Sequence, residues 1–212
     1  MGEGMYSVQG FSGYHLCLTS YPSEDYWSDC GIGDSVSVLN NFTEEDWREL
    51  ATTWMDQPAS WRIRCAQTLH ASPTERVGSI LLAMLTDPEG EVVVEAVQSL
   101  QFLDLEALAI SSDDVASLLA AYDRVGHLDR EAFRVLFREL LLIRLRDSKD
   151  EAVVEAVKLL ESMKLHGVDE LTGDVARLLA VHDTLAPLAG IFLRTFLQVM
   201  PVQGNPWSTV RP

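Results

Sequence analysis

Two ten-residue stretches sixty positions apart are nearly the same: EVVVEAVQSL at 91–100 and EAVVEAVKLL at 151–160. The likeness extends beyond them. Laid over 138–197 without a gap, residues 78–137 are identical at 21 of 60 positions. The matches include LL-x-x-L-x-D (Leu81 to Asp87, Leu141 to Asp147) and DVA-x-LLA (Asp114 to Ala120, Asp174 to Ala180). An internal duplication is the simplest account, and it restricts the chain to an architecture that itself repeats.

The repeated unit reads as helix. Val92-Val93-Val94 alone would suit a strand, because β-branched residues favour sheets. The wider spacing overrules it: Val93, Ala96, Val97, Leu100 and Leu103 recur at i, i+3, i+4, i+7 and i+10, and Val153, Ala156, Val157, Leu160 and Met163 do the same. An Asp-led turn precedes an apolar helix at Asp87, Asp123, Asp147 and Asp183. Upstream, Thr43 is a good N-cap with Asp46 in the capping-box position. Trp47, Leu50, Ala51 and Trp54 then form one face. Pro58 starts the next helix, with Trp61, Cys65 and Leu69. Ser72-Pro73 stops it and opens a third, with Ile80, Leu81 and Leu85. Ser112 and Thr172 stand where Thr43 does and are expected caps. Because 129–146 contains no breaker, one long helix is expected there.

Residues 1–41 differ. They are rich in Gly, Ser and aromatics, YSVQGF and YHLCLTS suit short strands, and Pro22 and Gly31-Ile32-Gly33 should interrupt any regular element. The expected organisation is an irregular acidic-aromatic arm at 1–41, a helical repeat domain at 42–200 and a tail at 201–212. The fold class is all-α: about nine helices in antiparallel pairs, stacked as a short right-handed α-solenoid.

Charge narrows the partners. The net charge is −16, and residues 1–60 hold ten acids against one base, Arg48. Such a field repels nucleic acid, whose binders need a basic footprint. It attracts cationic partners. No apolar run approaches the roughly 20 residues that cross a bilayer, and the first residues have no secretory pattern; a soluble, cytoplasmic protein is expected. Three cysteines, Cys17, Cys30 and Cys65, argue against a disulfide framework, although Cys17 and Cys30 could meet.

Chemistry-bearing motifs are missing. There is no G-x-S-x-G, P-loop, Rossmann glycine pattern or H-E-x-x-H, and the five histidines are dispersed. No enzyme, cofactor or metal is expected. The candidate site is instead a partner-binding surface: Glu24, Asp25, Tyr26, Trp27 and Asp29, followed by Glu44, Glu45 and Asp46. Tyr and Trp ringed by polar groups is how interfaces anchor. The competing explanations are structural. Trp47 and Trp54 could cap an open end of the array, and Glu44–Asp46 could serve the helix dipole. Arg130, Arg134 and Arg138 form a basic stripe, with Arg144 and Arg146 beyond; it reads as a solvated face or as a phosphate or acid binder.

Two resemblances add to this. The pattern L-x-D-P-x-x-x-V-x-x-x-A-V-x-x-L at 85–100 resembles the HEAT-repeat family, stacked helix pairs that serve mainly as binding scaffolds. Asp87 and Asp147 match its conserved-position Asp, but Val93 and Val153 stand where its Arg belongs. Residues 42–104, through Phe42, Glu45, Asp46, Trp47, Leu50, Trp54, Trp61 and Arg64, are similar to HEAT-like immunity proteins of bacterial polymorphic-toxin (contact-dependent inhibition) systems. That resemblance implies binding and silencing of a cognate toxin domain with a basic active-site surface, as in a nuclease; an NAD-degrading or other toxin fits the fold equally. A general scaffold or adaptor is the first alternative. A HEAT-like enzyme or nucleic-acid-handling protein is the second.

Overall fold

The computed structural model describes residues 9–72, 75–108 and 110–146. The duplicate from 147 onward, with its Val153 stripe and Thr172, lies outside the described residues. Every regular element among those described is helical. The order is α1 (Gly10–Ser20), the single turn α2 (Glu24–Tyr26), a π turn (Trp27–Gly31), α3 (Ile32–Leu39), α4 (Glu44–Thr53), a 3-10 turn (Trp54–Asp56), α5 (Ala59–Leu69), α6 (Glu75–Met84), α7 (Gly90–Leu100), α8 (Ser112–Val125) and α9 (Arg130–Arg146).

From α4 onward the helical spacing arguments hold, but the Asp-led turn expected at Asp123 does not: that residue lies within α8, which continues to Val125, and the turn follows it. Thr43 caps α4 and Asp46 closes the capping box. Val93, Ala96, Val97 and Leu100 are all fully buried on α7, so the helical period prevails over β-branching. Helix α9 is continuous to Arg146. One cap moves: Ser111, not Ser112, accepts the Asp114 N–H while the Asp114 carboxylate accepts the Ser111 N–H (2.9 Å). The reason is spacing, since only Ser111 stands three residues before the acid.

The expected irregular arm is corrected. Residues 10–39 are largely helical, and YHLCLTS lies within α1. Its buried residues Phe11, Tyr14 and Leu18 fall at i, i+3 and i+7. Neither end of α1 is capped locally. Its first turn offers the Phe11 N–H to Asp46 Oδ1 (2.8 Å), and its last carbonyls, of Leu18 and of the following Tyr21, accept from Arg64 Nη1 (3.0 and 3.3 Å). Gly31 does not break the chain: a Cβ there would sit 2.3 Å from the Trp27 ring, so glycine admits the indole to the core. Gly10 enters α1 at φ +68, where a Cβ would lie 2.5 Å from Asp46 Oδ1.

Packing runs from neighbour to neighbour. Helix α3 lies against α1 and α5, α5 against α7, and α7 against α9, with α6 and α8 covering α7 from the other layer. Polar rungs cross the α5–α7–α9 row: Gln67 Nε2 to Glu95 Oε1 (3.1 Å), Ser99 Oγ to the Ala66 carbonyl (2.6 Å), Gln98 Nε2 to Asp129 Oδ2 (2.8 Å) and Gln101 Nε2 to the Ala132 carbonyl (2.9 Å). Aromatic rings fill the other end. Trp61 meets Tyr14 edge-on at 6.0 Å, and Phe42 meets Tyr14 at 5.4 Å and Trp47 at 4.9 Å.

Asp87, fully buried in the turn before α7, is paired although Val93 cannot serve it. Arg62 of α5 binds it through both oxygens (Nε–Oδ2 2.7 Å, Nη2–Oδ1 2.9 Å). Arg124 of α8 donates to the Asp87 and Leu85 carbonyls (2.5 and 2.9 Å). Three helices thus meet at one turn. Removing one partner of a buried pair strands the other charge, at a cost of about 3–5 kcal/mol. Arg62→Ala should therefore lower the unfolding free energy by that amount, seen as a lower urea midpoint at an unchanged m-value; a loss under about 1 kcal/mol would show that water reaches Asp87.

Candidate partner-binding surface

The structure divides the eight candidate residues by role. Trp27 is core, 1 % exposed, with its Nε1 donating to Gln67 Oε1 (2.7 Å) and the Arg64 guanidinium 4.9 Å from its ring centroid. That corrects its expected place as a surface anchor: burying the indole against α5 is what orders the segment. Tyr26 is 57 % exposed and stacks on Tyr21 at 5.9 Å. Glu24 is exposed and pairs with Arg64 Nη2 at 2.9 Å. Asp25 and Asp29 are exposed.

The second group is largely committed to local structure. Glu44 pairs with Arg76, which holds its carboxyl below the usual range, and Glu45 pairs with Arg48. Asp46 accepts from the Thr43 N–H (2.8 Å) and Oγ1 (2.6 Å) as well as from Phe11. The Thr43 hydroxyl, foremost, lowers the Asp46 carboxyl below its ordinary value. Trp47 and Trp54 are buried.

The two acidic groups do not form one patch. Asp46 meets the start of α1 and Glu24 lies at its end, where Arg64 binds. The helix between them spans about 16 Å. Along that span a cleft of about 250 Å³ opens between α1 and α3, lined by residues from Gln9 and Gly10 at one end to Ser20 at the other. Asp34 lines it and accepts a hydrogen bond from the Tyr21 hydroxyl, whose ionisation is pushed up by burial and by that bond. Nothing in the motifs marked this cleft. The available signal was the small residues Gly10, Gly13, Cys17 and Ser20, which occupy one face of α1 at helical spacing and leave a gap where larger side chains would interlock.

Few cations answer these acids. Arg62 is consumed by Asp87 and Arg64 by α1 and Glu24, both within the protein. Asp25, Asp29, Glu49 and Asp56 are exposed, and no basic side chain among the described residues pairs with them. On α9, Arg134 pairs with Glu131 at 2.7 Å, while Arg130 and Arg138 are exposed; Arg144 and Arg146 end the helix. Cys17, Cys30 and Cys65 are all free thiols; burial pushes Cys65 up to about 12, so it is inert at neutral pH. No three His, Cys, Asp or Glu side chains among the described residues converge as a metal cluster, and no described helix is long and apolar enough to cross a membrane.

No family model, no curated protein and no solved structure matches the chain.

Two stability measurements separate these roles. Trp27→Ala should cost about 3–5 kcal/mol, as for a large core side chain. Tyr26→Ala should stay within about 0.5 kcal/mol. Equal, small losses would return Trp27 to the surface. Asp46, with its carboxyl lowered in the folded state, stabilises above the ordinary carboxyl range and loses that contribution as pH falls through the lowered value. Asp46→Ala should cost roughly 1–2 kcal/mol at neutral pH, as a lost cap does. The gap to the native chain should close in acid; a pH-independent gap would contradict the assignment.

Proposed function

We propose that this chain is a protein-binding α-solenoid and acts as an immunity protein, capturing a cognate toxin domain through a basic surface such as a nuclease cleft and blocking it. The observation that carries the reading is the exposed acidity of the N-terminal half, where Arg62 and Arg64 are spent internally and Arg48 and Arg76 pair with Glu45 and Glu44. Asp25, Asp29, Glu49 and Asp56 face solvent uncompensated, with exposed Tyr26 beside Asp25. Like-signed surface charge costs the folded protein self-repulsion and raises the rate of encounter with a cationic partner.

The neighbour-to-neighbour packing of α5, α7 and α9, together with the 78–137/138–197 duplication, supports the solenoid part. The resemblance at 42–104 supports the immunity part. In this account Trp27 works from beneath the surface, holding the Glu24–Asp29 turn in place, while Tyr26 is the contacting aromatic. The partner is a protein in the cytoplasm, not nucleic acid or membrane.

Affinity capture of the tagged chain from its native cells, at low and high salt, tests the reading. One stoichiometric partner is expected, weakened by salt, whose isolated C-terminal domain kills cells unless this chain is co-expressed. With that partner in hand, Asp25→Lys with Asp29→Lys should slow association by about tenfold or more at low salt while changing dissociation little. Several substoichiometric partners and no relieved toxicity would overturn the immunity role in favour of an adaptor.

A further inference from the structure

The cleft between α1 and α3 runs along α1, whose two ends meet Asp46 and Arg64, and its lining has a chemistry of its own. Leu16, 39 % exposed, and half-buried Val38 supply apolar walls, and buried Gly13 also lines the cleft. Asp34 uses Oδ2 for the Tyr21 hydroxyl, and its Oδ1 has no hydrogen-bond partner among the described residues. Asn41 Nδ2 donates to the Ser37 carbonyl (2.8 Å), which leaves its Oδ1 as an acceptor. Ser20 and Ser37 direct their hydroxyls to carbonyls of their own helices (2.6 and 2.9 Å). Among the described residues, no basic side chain lines the cleft. The Cys17 thiol in its wall is pushed up by burial and then by the Asp34 charge, as a site without a compensating cation requires.

Size decides the class of occupant. About 250 Å³ is below the roughly 300–1,000 Å³ of pockets that hold drug-sized ligands. It suits one long side chain. A half-buried carboxylate with a second open acceptor favours a planar, weakly hydrated guanidinium over a strongly hydrated ammonium. Apolar walls suit the methylene stem that such a side chain lays along a surface.

We propose that the α1–α3 cleft receives an arginine side chain of the partner protein, its guanidinium on Asp34 and its stem between Leu16 and Val38. This rests on the protein-binding reading above and gives it a point of insertion. Asp34 then fixes register, while exposed Asp25 and Asp29 supply longer-range attraction.

Agmatine, which is arginine without its carboxylate and keeps a terminal ammonium beside the guanidinium, is the probe. Titrated into the full chain at constant ionic strength, it should give saturable amide shifts confined to α1 and α3, with a dissociation constant on the order of millimolar, as befits one side chain. Asp34→Asn, which keeps an acceptor for Tyr21, should weaken binding about tenfold. Leu16→Lys, on an exposed position, should also abolish it by placing a cation at the mouth. In a Cys30→Ser background, agmatine should slow labelling of Cys17 by a thiol reagent. Linear shifts spread over all exposed acids and unchanged by Asp34→Asn would overturn the proposal. The captured partner provides the second arm. If Asp34→Asn binds it as tightly as the native chain, the cleft is not the point of insertion and the protein-binding reading stands. If the native chain captures no partner, that reading falls and this inference with it.

Discussion

The Arg64 guanidinium is the junction on which the first third of the described structure depends. It is 8 % exposed, reaches the carbonyls that end α1, pairs with Glu24 and lies over the Trp27 ring. One turn further along α5, Gln67 takes the indole N–H. Two residues three apart on one helix therefore hold a helix end, a turn and a tryptophan. A desolvated cation–π contact contributes on the order of 2 kcal/mol, and each hydrogen bond to a charged group about 1.5–3. Without this set, α1 would expose unpaired carbonyls, and Trp27 would lose the partner for its N–H.

This junction also explains which parts of the fold could be read from the sequence. Helices α4, α5, α7 and α9 carry their own signals: the Thr43–Asp46 box, Pro58 before Ala59, the Val93–Leu100 stripe, and unbroken periodicity over 130–146. Helix α1 carries none, because the groups that cap it are 35 and 46 residues away in Asp46 and Arg64. Its glycines and serines look like loop until those groups arrive. Gly31 reads as a breaker and proves to be clearance for an indole. The pairing at Asp87 was hidden for the same reason: its arginine, Arg62, belongs to the preceding unit.

The acidic residues were legible as a set and misleading as a patch. Their count fixed the sign of the field. Their grouping along the chain did not survive folding, since α1 separates Glu24 from Asp46 and much of the Glu44–Asp46 cluster is committed to a cap and to arginines. What folding adds is the cleft between those groups, formed where small side chains on α1 face Asp34 and Val38 on α3. Two buried arginines, Arg62 and Arg64, hold helices together, while Asp25, Asp29, Glu49 and Asp56 stay exposed with no basic partner among the described residues.

The central claim is that residues 10–39 are an integral part of the helical core, which positions both the acidic flanks and the cleft. Native-state hydrogen exchange of the full chain tests it most directly, because exchange reports the free energy at which each segment opens. The account requires the amides of Tyr14 and Leu18 to be protected to nearly the same free energy as those of Cys65 and Leu69, and to open with them in one cooperative unit. Exchange of α1 at rates near those of an unfolded chain, while α5 and α7 remain protected, would contradict it.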